Sequence, residues 1–101
     1  MAVKTSNSFI GKYVIIRTYS AGVHVGTLVS QNGKEVMLKD TRRIWSGEGA
    51  FTLSAIAMNG LGKNSRLSVV VPELMLTEAI EIIPTSPEAE AQLKNHREYK
   101  S

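Results

Sequence analysis

The sequence predicts an α+β fold: a small antiparallel sheet of five to six strands, one internal helix packed on it and a helix at the C-terminal end. Three observations carry this. Between Ile10 and Trp45 the apolar residues recur with period two and are cut by short turn sequences. Between Ala50 and Asn59 they recur with a helical stripe that stops at Gly60. At Ser86-Pro87-Glu88 the chain shows a helix start, with a capping hydroxyl, proline in the first turn and acids at the positive end of the dipole.

Residues 1–9 are polar, small and aperiodic and read as a flexible arm. Residues 10–84 read as one domain and residues 85–101 as a helical tail. The first strand is Lys12–Tyr19. Its alternation places Tyr13, Ile15, Arg17 and Tyr19 on one side and Val14, Ile16 and Thr18 on the other. Both sides carry apolar residues, so both faces are partly covered. Ser20-Ala21-Gly22 is the turn into the second strand, Val23–Ser30. Gly26, inside that strand, marks either a bulge or a close approach by another backbone or a ligand. Asn32-Gly33 is a strong hairpin signal, and Glu35–Lys39 is the third strand. Asp40-Thr41 reads as a turn and Arg42–Trp45 as a short fourth strand.

Ser46-Gly47-Glu48-Gly49 is a glycine-rich loop opening onto the internal helix, 50–59. A helix this short is unstable alone and has to lie against the sheet. Arg66–Val71 reads as a strand ending at Pro72, and Leu74–Ile83 as another, with helix as the rival reading. The β-branched residues and the flanking Pro72 and Pro84 favour strand, with Leu74, Leu76, Glu78, Ile80 and Ile82 as the set on the buried face. From Glu88 to Tyr99 the apolar face reduces to Ala89, Leu93 and His96. That makes a marginal tail helix, or one that orders against a neighbouring subunit.

A chain of 101 residues holds one domain with a modest core, for which self-association is a natural supplement. Nothing in it is apolar over the roughly 20 residues that a membrane-spanning helix needs, and its first residues lack the apolar core of a secretory signal. A non-membrane, cytosolic protein is the expectation. Cysteine is absent and histidine occurs twice, so disulfides, thiolate chemistry and a zinc site are not expected. The net charge of +3 is uneven: residues 1–50 carry +4 and residues 51–101 carry −1. A positive field on the strand-rich half favours anionic partners, among them nucleic acid or a phosphate-bearing small molecule.

No nucleophile elbow, zinc-protease helix, phosphate loop or dinucleotide fingerprint occurs. Ser20 and His24 are four residues apart, but no acid stands near in sequence to orient the imidazole. Glu78 and Glu81 fall on opposite faces of one strand and cannot act as a pair there. No catalytic residue and no cofactor are expected. The binding signals are stronger. Arg17, Arg42 and Arg43 offer planar forks for phosphate. Tyr19, Trp45 and Phe51 offer flat faces for a base, stacking being worth about 1–3 kcal/mol each on single strands. Gly22, Gly26, Gly47 and Gly49 allow close approach of backbone amides to phosphate oxygens, and Gly49 and Ala50 lead into a helix N-terminus. Two clusters follow as the candidate ligand site: Arg17, Tyr19, Ser20, Ala21, Gly22 and His24 at one turn, and Arg42, Arg43, Trp45, Gly49, Ala50 and Phe51 at the other. Competing readings stand beside these. Trp45 also suits a core position, His24 a half-buried strand position, and the arginine pair a solvated edge that discourages aggregation.

The runs YVIIRTYSAGVHVGTL, GKEVMLKDTRRIW, GAFTLS and VPELMLTEAIEII, followed by proline, resemble a widespread family of small phage proteins, from Ile10 to about Pro84. The chain is also similar to the Thoeris anti-defence proteins of the first type, which are phage sponges. That resemblance implies binding of cyclic ADP-ribose isomers, and of cyclic oligonucleotides in some members, without cleavage. It also implies a homo-oligomer, dimer or hexamer, in the cytoplasm of an infected bacterial host. It transfers no binding residue position by position. Nucleic-acid binding, or a structural phage role, is the alternative.

Overall fold

The computed structural model describes residues 9–46, 53–62 and 65–96. The elements run β1 (Tyr13–Thr18), β2 (Val23–Asn32), β3 (Glu35–Ser46), α1 (Leu53–Asn59), β4 (Arg66–Leu67), β5 (Val71–Leu76), β6 (Ala79–Pro84) and α2 (Pro87–Asn95). The six strands form one antiparallel sheet in the order β4-β3-β2-β1-β6, and β5 pairs with another stretch of β3. The expected α+β class, with an internal and a C-terminal helix, is what the chain adopts. The arm at residues 1–8 and the start of the internal helix at 50–52 lie outside the described residues.

β1 runs through the middle and is buried on both faces, which explains its unbroken apolar run. Tyr13 and Ile15 point into a cluster with Val25, Ile56, Ala57, Leu61, Leu67 and Leu93, so both helices cover this face. Val14 and Ile16 point the other way, into a cluster with Leu28, Val36, Leu38, Leu76 and Ala79. That second cluster is built from strands and their ends alone. β5 and β6 are not ladder neighbours, yet Leu76 and Ala79 share it. The sheet therefore curls on itself into a partly closed barrel. The Ala79 N–H, donating to Lys34 O at 3.0 Å, ties β6 to the β2–β3 hairpin.

The curl needs a bend in the long hairpin, and the β2–β3 register slips between Val25 and Thr27, opposite Asp40 and Thr41. Asp40 takes φ +51°, so the expected turn at Asp40-Thr41 is instead a bulge within one continuous β3. Gly26 stands opposite: a Cβ placed on it would lie 2.9 Å from Thr41 Cβ. Of the two meanings a strand glycine can have, bulge and close backbone approach both apply here. The hairpin turn itself is Gly33-Lys34, one residue later than Asn32-Gly33, because Asn32 pairs with Glu35.

Three further expectations are corrected. The strand expected over Arg66–Val71 ends at Leu67, and Pro72 lies inside β5. β5 pairs with β3 on one side, and a proline without an N–H is tolerated on such an edge. The strand expected over Leu74–Ile83 is broken at Thr77-Glu78 into β5 and β6, so its alternation does not carry through, and Ile80 is exposed. The C-terminal helix is no loose tail: Ala89 and Leu93 are fully buried in the core. Its hydrophobic stripe is narrow, but its polar atoms are tied down. Ser86 Oγ accepts from the Ala89 N–H and donates to Met58 O, and the Gln92 side chain bonds both the N–H and the C=O of Leu61. Among the described residues no helix is long and apolar enough to cross a membrane.

Candidate binding site

Of the residues in the two expected clusters, the structure brings His24 of the first together with Arg42 and Arg43 of the second. At the first turn the Thr18 hydroxyl accepts from the Ala21 N–H and donates to Gly22 O, so Ala21 and Gly22 form a closed local turn. Tyr19 is 78% exposed. Its backbone N–H donates to Glu78 O, and the Ser20 hydroxyl donates to the Glu78 carboxylate at 2.7 Å. Arg17 pairs with Glu81 at 3.1 Å, both half in solvent. Carboxylates therefore stand beside Arg17 and Ser20, which weakens this turn as an anion site.

Arg42 and Arg43 are adjacent in sequence and opposite in fate, because successive strand residues face opposite ways. Arg42 pairs with Val25 on the helix-covered face and is 2% exposed. Its Nε donates to Ser68 O at 2.8 Å, and its Nη1 donates to Leu93 O at 2.9 Å and to His96 O. It binds the last carbonyls of α2 and is a structural residue rather than a phosphate fork. Arg43 pairs with His24 and is exposed. Trp45 ends β3 with no side-chain placement described, and Gly49, Ala50 and Phe51 lie outside the described residues.

A cavity of about 210 Å³ opens beside Arg43. Its polar wall is His24, Thr41, Arg42, Arg43 and Ser68, and its apolar wall is Val71 and Leu74. The cavity exists because β3 changes partner there. Thr41 pairs with Val71 on β5 and Ile44 with Leu67 on β4, leaving Ser68–Val70 to bow out of the ladder. Ser68 still holds β3, donating its N–H to Arg43 O at 2.9 Å and accepting the Arg43 N–H on Oγ at 2.8 Å. Sequence reasoning missed Thr41, Ser68, Val71 and Leu74. The stretch RLSVVV reads as an ordinary strand, so only the change of partner exposes them.

His24 forms the floor and is 4% exposed. Its Nε2 lies 3.4 Å from Arg43 Nε, a long contact in which the arginine can only donate. The proton of the neutral ring therefore sits on Nδ1, which is buried and has no hydrogen-bond partner. Burial first and the Arg43 charge second hold the His24 pKa at about 4, against an ordinary 6.5. The imidazole is neutral at physiological pH. Its contact is a guanidinium, where a catalytic histidine would have an orienting carboxylate. Among the described residues no group of three or more His, Cys, Asp or Glu could hold a metal ion.

One protein-family model, described as a domain of unknown function (DUF6948), matches residues 11–93. No curated protein and no solved structure matches the chain.

Proposed function

This chain belongs to the DUF6948 family, and from that premise we propose that it is a binding protein that holds a phosphate-linked nucleotide without transforming it. The observation that carries the reading is the exposed Arg43 guanidinium at a cavity floored by the neutral His24. A guanidinium offers five donors in a planar fork suited to phosphate. A histidine with a pKa near 4 is a poor general base at neutral pH, since an efficient base titrates near its working pH.

The sequence resemblance names the finer ligand class: cyclic ADP-ribose isomers or cyclic oligonucleotides, sequestered as immune signals. The cavity, about 210 Å³, is below the roughly 300–1,000 Å³ of pockets that enclose drug-sized ligands. It suits one phosphoryl group or one ring. The rest of a cyclic nucleotide would lie across the lip, where Val69, Val70 and Val71 are exposed, and a second copy of the chain closing over that lip would complete the enclosure.

The test is retention. Purified protein is mixed with a cyclic ADP-ribose isomer, passed through a desalting column, heated, and the released compound is weighed by mass spectrometry. Recovery of the intact cyclic molecule supports the reading, a hydrolysed product makes the protein an enzyme, and no retained ligand removes the sponge role. Native mass spectrometry of the same sample counts the subunits. The nucleic-acid alternative rests on the +4 charge of residues 1–50 and predicts affinity for single strands that falls steeply with salt.

A further inference from the structure

Asn-Gly occurs twice in the chain, at Asn32-Gly33 and at Asn59-Gly60. The dipeptide is chemically exposed because glycine has no side chain to shield its nitrogen, which can then reach the asparagine Cγ just before it. In sequence the two sites are equal, and the fold separates them. Gly60 is buried, and its N–H donates to Ile56 O at 2.7 Å, completing the last turn of α1. Its nitrogen cannot turn towards Asn59 Cγ without breaking that bond and leaving the core. At the other site residues 29–35 are all exposed. Gly33 takes φ +61°, and nothing lies within 4 Å of the place its Cβ would occupy. Gln31 Nε2 donates to Gly33 O at 3.0 Å, but among the described residues neither the Gly33 N–H nor the Asn32 side-chain amide has a hydrogen-bond partner. Asn32–Glu35 is the last rung of the β2–β3 ladder, and a terminal rung opens at lower free energy than the interior of a sheet.

We infer that Asn32 is a deamidation site of the folded chain and that Asn59 is protected from the same chemistry. When the hairpin tip frays, Gly33 N loses its proton to solvent and attacks Asn32 Cγ. The new N–C bond forms, the bond from Cγ to the amide nitrogen breaks, and that nitrogen leaves with a proton as ammonia. The product is a cyclic imide. Water then adds to one of its carbonyls, the C–N bond there breaks, and Gly33 N recovers its proton. Cleavage at Cγ leaves aspartate. Cleavage at the backbone carbonyl leaves isoaspartate, whose main chain runs through the side-chain methylene and is longer. Either product lowers the net charge of +3 by one unit and sets a carboxylate opposite Glu35, and like charges directly opposite destabilise a strand pair. Isoaspartate also displaces the backbone beside Lys34, whose C=O accepts from the Ala79 N–H at 3.0 Å. That bond ties β6 to the hairpin, so damage at the tip loosens the seam of the barrel.

In the test, the full chain is held in warm, mildly alkaline buffer, and samples are digested with trypsin, which puts the two sites on peptides 18–34 and 44–63. Conversion is read as the amide-to-acid mass gain, assigned to its residue by fragmentation, and isoaspartate by enzymatic methylation. Asn32 should convert about tenfold or more faster than Asn59 in the folded chain, and the two rates should converge in urea. Asn32→Gln should remove the conversion at position 32. Equal rates in the folded chain overturn the inference, as does an Asn32 still intact when the unfolded chain is fully converted. The seam is read by amide exchange at Ala79. The isoaspartate form, isolated by ion exchange, should exchange this proton about tenfold faster than Asn32→Asp, which adds the charge without lengthening the chain. Equal exchange in these two overturns the link between the tip and the seam.

Discussion

Arg43 Nε stands 3.4 Å from His24 Nε2, across a β2–β3 ladder whose register pairs the two residues directly. The contact sets a cation against a buried imidazole. It leaves the ring neutral, defines its tautomer and places the only described arginine exposed at the cavity where that ring forms the floor.

The first prediction concerns pH. His24 titrates at about 4 in the folded chain and near its ordinary 6.5 when unfolded. Above pH 6.5 both states are neutral and stability does not depend on this group. Below it the unfolded chain takes up a proton that the folded chain refuses, so stability falls as pH drops from 6.5 to about 4, by about 3 kcal/mol in all. Urea unfolding at pH 7, 5.5 and 4.5 should show this loss in the parent and not in His24→Gln. Parallel pH profiles for the two proteins would contradict it.

The two arginines should separate cleanly. Arg42→Met strips three carbonyls, one buried and two part-buried, of their donor and is expected to cost about 3 kcal/mol or more in urea unfolding. Arg43→Met, on the exposed rim, should stay within about 1 kcal/mol while abolishing pyrophosphate binding. Equal losses of stability would mean that Arg43 is as structural as Arg42.

Gly26→Ala sets a Cβ 2.9 Å from Thr41 Cβ, against a β-branched side chain that has little room to turn. The strain should cost about 1–3 kcal/mol. At this chain length each kcal/mol lowers the melting temperature by about 4–8 °C, which calorimetry resolves. An unchanged melting temperature would show that the bulge absorbs the methyl group.

Tyr13 gives a prediction at the other end of the pH scale. Its hydroxyl is buried without a partner, and burial is the main reason that its pKa is pushed up to about 12. Below pH 10 the hydroxyl is neutral in both states. Between 10 and 12 the unfolded chain ionises and the folded one does not, so stability is lost as pH rises through that window. Tyr13→Phe should remove this loss. It should also hold or raise stability at pH 7 by up to about 1 kcal/mol, since it deletes an unsatisfied group and keeps the ring under Lys94 Nζ, 5.1 Å from its centroid. A loss above 1 kcal/mol at pH 7 would reveal a partner for the hydroxyl.

The sequence by itself determined the elements whose causes are local. Period-two patterning defined β1, β2 and the first half of β3. Gly60, at φ +77° with its N–H donating to Ile56 O at 2.7 Å, ends α1 as a glycine after a helix does. Ser86-Pro87 starts α2 through a cap formed within three residues. Tertiary structure alone decided what each arginine does, where the cavity lies and whether α2 joins the core. Arg42 and Arg43 are equivalent in any local reading. They part because β3 is one continuous strand whose alternation sends one side chain to the carbonyls of Leu93 and His96 and the other over His24. The cavity comes from Ser68–Val70 leaving the ladder where β3 exchanges β5 for β4. Those outcomes depend on the register between segments some 25 to 50 residues apart in the chain, and pairing at that range leaves no periodic trace in either segment.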